Sequence, residues 1–119
     1  MNGDEPMGVT AAPEADADEV QVTLVVMTFD ASDADALTST LAKYVVLTRG
    51  EEGCRNVDLC TSYTRPSRFV VVEKWESERL AREHFDSPLM VEMAEACRGV
   101  LATPPDIDLL EGLSAHDLA

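Results

Sequence analysis

Basic residues are scarce in this 119-residue chain: nine Lys and Arg stand against 23 Asp and Glu, a net charge of −14. Nucleic-acid phosphates and anionic membrane surfaces both call for clusters of cations, so neither is an expected partner. Long hydrophobic runs are missing as well. The apolar patches, such as Leu24–Met27 and Phe69–Val72, fall far short of the ~20 residues of a spanning helix. No basic segment followed by an apolar stretch reads as a secretion signal. The three cysteines, Cys54, Cys60 and Cys97, lack any CxxC spacing. Cys54 and Cys60 fall on one expected strand, where six residues span about 20 Å, too far for a disulfide. With only His84 and His116 to add, no zinc constellation can be read. The expectation is a single cytoplasmic domain with free thiols and no metal.

What is present is a well-marked alternation of elements. Residues 1–19 carry six acids, two prolines and no base, the composition of a disordered acidic tail. A domain over 20–112 follows, and 113–119 reads as a short C-terminal tail. Val20–Phe29 is rich in β-branched residues and becomes apolar on both faces, a strand covered on two sides. Acids between Asp30 and Asp35 then open a helix whose stripe is Leu37, Leu41, Tyr44, Val45 and Thr48, ended near Gly50. Two strands follow, roughly Cys54–Thr64 and Arg68–Trp75, joined by the turn Arg65-Pro66-Ser67. So short a connection makes them antiparallel.

Ser77 caps a helix with Leu80, Ala81, His84 and Phe85 inward. Ser87 and Pro88 then supply the N-cap and first residue of a second helical piece through Leu89, Met90, Met93, Ala94, Cys97 and Leu101. Pro104-Pro105 stops it, and Asp106–Glu111 is a short last strand. The order βαββαβ predicts an α+β, ferredoxin-like domain with a four-stranded antiparallel sheet and a broken second helix.

Glu52-Gly53-Cys54, Asp58-Leu59, the stretch Arg68–Ser77, His84-Phe85-Asp86-Ser87-Pro88 and the closing Pro105–Glu111 together resemble the antibiotic biosynthesis monooxygenase family of dimeric α+β barrels. The resemblance implies a homodimer closed through bare sheet faces. It also implies a cavity between sheet and helices and oxidation of a small aromatic or quinol-type metabolite by oxygen with no cofactor. Such chemistry asks for an apolar hollow, a group to handle the phenolic proton and a donor for the developing anion. The rival expectation is a homodimer that binds a small ligand or a partner without turning it over.

Within that frame His84, Trp75 and Asn56 are the candidate catalytic residues. Tyr63, Phe85, Met27, Met90 and Met93 are the candidate substrate contacts. Each has a structural alternative: a packed histidine for His84, a core anchor for Trp75, an exposed strand position for Asn56, hairpin packing for Tyr63, and plain core for the methionines. Glu73 and Glu76 read as solvated partners of Lys74 or Arg79. The haem-degrading branch of the family has an Asn on its first strand, and a Trp and a His in its second helical region. Here those places hold Met27 and Thr28, His84, and a position near Ala94, which disfavours haem. Val57 stands where many members have a strand tyrosine.

Overall fold

The computed structural model describes residues 19–118; the acidic tail expected at the N-terminus lies, save for Glu19, outside the described residues. The elements are β1 (Glu19–Asp30), α1 (Ala34–Thr48), β2 (Cys54–Thr61), β3 (Arg68–Trp75), α2 (Glu78–Phe85), α3 (Pro88–Ala96) and β4 (Asp106–Leu118). The strands form one antiparallel sheet in the order β2-β3-β1-β4. This is the ferredoxin-like α+β arrangement, with the second helix split in two.

Local chemistry sets the helix boundaries. Asp33 caps α1 by accepting the Ala36 N–H at 3.1 Å. Ser77 and Ser87 accept the N–H groups of Leu80 and Met90, and Pro88 occupies the first turn of α3. Each cap satisfies a donor that the helix itself leaves unpaired. The buried residues of α1 are Leu37, Leu41, Tyr44, Val45 and Thr48, the stripe that helical spacing predicts.

Register divides the sheet into two faces. Val25, Met27 and Phe29 of β1 sit opposite Glu73, Val71 and Phe69 of β3, and all of these are buried beneath the helices with Val57 and Trp75. The apolar ones form one core with Leu37, Leu41, Leu80, Ala81, Met93 and Cys97. The opposite face carries Leu24, Val26, Val70 and Val72, which are half-buried and stand outside that core. Gly53 (φ +83°) makes the turn into β2, and a β-carbon there would collide with the Leu80 side chain. Only glycine combines that backbone angle with that proximity.

The last strand departs from expectation. Residues 113–118 are strand, not a loose tail with little to pack. β4 pairs Glu111 with Thr23, bulges, and resumes with His116 against Gln21. A β-carbon at Gly112 would strike the Val22 carbonyl oxygen, so glycine marks a bulge at this point and not the end of the strand. The Gln21 amide donates to the Gly112 carbonyl, and Asp117 accepts from Arg55 Nε of β2 at 3.2 Å. No helix among the described residues is long and apolar enough to cross a membrane.

Candidate active site

Strand alternation turns Phe69, Val71, Glu73 and Trp75 to the helix side of β3, and so drives a carboxylate into the core. Glu73 is 0% exposed. The expectation of a solvated Glu73 therefore fails: its neighbours Val72 and Lys74 take the outer face, and period two leaves it no other place. A buried carboxylate needs donors, and two reach it. Tyr44 of α1 donates to Oε2 at 2.5 Å, and the Trp75 indole Nε1–H donates to Oε1 at 2.8 Å.

His84 of α2 completes the array. Its Nε2 lies 2.8 Å from the Tyr44 hydroxyl, and its Nδ1 is 3.4 Å from Oε1 of Glu51, which is partly exposed. A tyrosine hydroxyl has one proton. Once that proton is given to Glu73, Nε2 of His84 must donate the second bond. The His84 ring also stacks at a tilt on Trp75, with centroids 4.8 Å apart. Burial and the Glu73 charge push the Tyr44 phenol well above its ordinary value, and the same two causes raise the Cys54 thiol to about 11. The arrangement is a chain of four polar side chains, Glu51–His84–Tyr44–Glu73, running from the surface into the core and able to pass a proton along it.

Two hollows border the helix layer, and the smaller has Tyr44 of this chain in its wall. A groove of about 380 Å³ runs between α3, the segment after it and the β1–β4 edge, with walls that include Phe29, Met90, Met93 and Ile107. A smaller pocket of about 210 Å³ lies between α1 and α3, against Tyr44, Leu89 and Met93. Met93 is a wall of both.

The structure gathers some of the sequence candidates and scatters others. His84 and Trp75 are buried side by side, joined through Glu73 and Tyr44. Met90 and Met93 line the groove, Phe85 is half-buried at the end of α2, and Met27 is wholly enclosed in the core. Asn56 is exposed on the outer face of β2, its amide on Asp58 at 3.1 Å. Tyr63 is fully exposed in the β2–β3 connection. Neither approaches the array. Tyr44 and Glu73 are the residues that sequence reasoning missed, although Tyr44 stood on the inward stripe of α1 and Glu73 two residues from Trp75. Among the described residues, no three His, Cys, Asp or Glu side chains are placed to hold a metal ion.

The profile of the antibiotic biosynthesis monooxygenase family matches residues 21–96, from β1 to the end of α3. The chain belongs to this family. Among solved structures, a candidate antibiotic biosynthesis monooxygenase from Nitrosomonas europaea superposes with a TM-score of 0.73 at 16% identity, over 80% of this chain and 93% of its own. A Mycobacterium tuberculosis protein gives a TM-score of 0.70 at 27% identity, over 79% and 97%. A Deinococcus radiodurans candidate for the same activity gives 0.72 at 24%, over 78% and 94%. No curated protein matches the sequence. As a member of the antibiotic biosynthesis monooxygenase family, the chain thus shares the whole fold of these structures, while the residues 97–118 that finish its groove and last strand lie outside the matched profile.

Proposed function

We propose that this protein is a cofactor-independent monooxygenase that oxidises a small aromatic or quinol-type metabolite with molecular oxygen. The observation that carries this reading is Met93, which is a wall both of the apolar groove and of the smaller pocket that Tyr44 lines. Methionine is unbranched and readily changes rotamer, so a swing of Met93 joins the groove to the pocket that Tyr44 lines. A phenolic substrate reaching Tyr44 would then give its proton to the Tyr44 oxygen as Tyr44 passes its own to the Glu73 carboxylate, with His84 Nε2 holding the Tyr44 oxygen in place. Loss of that proton makes the ring electron-rich.

The phenolate passes one electron to oxygen, giving a phenoxyl radical and superoxide. These combine at a ring carbon to form a C–O bond, and the resulting hydroperoxide loses water to leave a quinone. One oxygen atom ends in the product and one in water, and the substrate supplies every electron. The apolar walls keep bulk water from the intermediates.

The protein acts as a homodimer in this proposal. Among the described residues no helix covers the outer sheet face, with Leu24, Val26, Val70 and Val72, and a second copy would cover it by two-fold packing of sheet on sheet. Three free thiols suit a reducing cytoplasmic setting. A second reading, a dimer that holds its metabolite without reaction, draws on the burial of His84 and Trp75 away from the groove walls. Oxygen uptake with a panel of quinols, with and without a chelator, separates the two. Chelator-insensitive uptake that falls at least tenfold in His84→Ala and Tyr44→Phe supports catalysis. Binding without uptake supports the second reading, and chelator-sensitive uptake contradicts the cofactor-free mechanism.

A further inference from the structure

We infer that the groove selects aromatic ligands that carry an anionic group, and that Arg98 is the residue that selects them. The inference rests on the groove being the ligand site and adds the charge class of what enters it. Thirteen residues line the groove and Arg98 is the only charged one. In a chain with 23 acids and nine bases, an apolar hollow whose one charge is positive runs against the composition.

Arg98 has no ion-pair partner among the described residues, whereas Arg68, Arg79, Arg82 and Lys43 are each paired with a carboxylate. It follows the Cys97 cap of α3 directly and precedes Gly99 (φ +81°), where the chain turns back to form the far wall. Arg98, exposed just after α3, thus sets a cation beside a slot whose other walls include Phe29, Met90, Met93 and Ile107. A flat ring lies on these side chains while a carboxylate, sulfonate or phenolate meets the guanidinium. The protein's net negative charge disfavours anions over much of the surface, and Arg98 places a cation beside an apolar wall where an anionic ring can use both. A neutral ring gains only the apolar contact.

Two fluorescent probes that differ by one sulfonate test this: 1-anilinonaphthalene-8-sulfonate and uncharged N-phenyl-1-naphthylamine. Wild type is expected to bind the sulfonate at least tenfold more tightly, with the preference weakening as salt rises. Arg98→Gln removes the preference and leaves the neutral probe within twofold. Arg79→Gln, the same charge change on α2 outside the groove, leaves both unchanged, and circular dichroism confirms the fold of each variant. Ala94→Trp, which fills the groove, abolishes binding of both probes.

Equal affinity of the two probes in wild type, or a preference that survives Arg98→Gln, overturns the inference while leaving the groove as a ligand site. Failure of both probes to bind, or binding indifferent to Ala94→Trp, removes the groove itself and the proposed function with it. If neither probe binds and Ala94→Trp dissociates the dimer, the groove is occupied by a second copy, which overturns the inference equally.

Discussion

Tyr44 and Glu73, on a helix and a central strand, meet through a 2.5 Å hydrogen bond inside the core. The bond fixes α1 over β3 at one rotation and holds a carboxylate in an otherwise apolar layer. Removing Glu73 strands the Tyr44 hydroxyl and the Trp75 indole together. Glu73→Ala is expected to cost about 3–5 kcal/mol, on the scale of breaking a buried charged network. Tyr44→Phe, which spares the ring, is expected to cost about 1–3 kcal/mol. Urea unfolding of both and of the double variant gives the coupling energy directly; a sum of independent losses would show that the two side chains do not act together.

Alkaline pH should weaken the fold from the same centre. Tyr44 is buried as the neutral phenol, with its value raised above the ordinary 10.0, and Cys54 is raised from 9.0 to about 11. Folded protein therefore binds more protons than unfolded protein above about pH 9. Stability is complete below that point and declines as pH rises through the raised values. Tyr44→Phe should flatten the decline measured by urea midpoints between pH 8.5 and 11, and an unchanged slope would contradict this assignment.

At the acid end the relevant pair is Asp30 with Arg68, joined by two bonds of 2.8 and 2.9 Å between β1 and β3. The hydrogen bonds from Arg68 hold the Asp30 carboxyl below its ordinary 3.8. The pair's contribution is full above the ordinary carboxylate range and is lost as pH falls through the lowered value. Asp30→Asn removes that part of the acid dependence, a change readable as a shallower fall in urea midpoint below pH 4.

Thiol reactivity should follow exposure and charge. Cys60 is exposed, Cys54 half-buried and Cys97 buried, and the thiols of Cys54 and Cys97 are both raised. With a two-unit rise, Cys54 holds roughly a hundredfold less thiolate at pH 8 than an ordinary cysteine. Iodoacetamide at pH 8 should modify Cys60 first, with peptide mass mapping as the readout. Early loss of Cys97 would mean that the helix layer opens more readily than its packing suggests.

Much of this fold could be read from the chain because its signals are local. The α1 stripe repeats at 3.6 residues, Ser77 and Ser87 stand where caps are needed, and Pro88 follows at the first turn. The polar array was harder to see because its bonds join residues 29 to 40 positions apart, on α1, β3, α2 and the connection between α1 and β2. Tyr44 was visible only as a core position, since nothing in a helical stripe reports what its hydroxyl will meet. Glu73 was masked by the run Phe69–Val72: an apolar block hides the alternation, yet counting back from Trp75 places Glu73 on the inner face. Residues 113–118 were missed for a related reason. Gly112 marks a bulge and a stop equally well in one dimension, and the Val22 carbonyl and Arg55 decide between them only once β1 and β2 are in place.

The most direct test of the account is a crystal structure with a phenolic quinol analogue bound. The ring is expected in the groove against Phe29, Met90 and Met93, with Met93 rotated so that the ring's hydroxyl approaches Tyr44. A ligand seated on the outer sheet face or over Gln21 and Glu111, with the groove left empty, would contradict it.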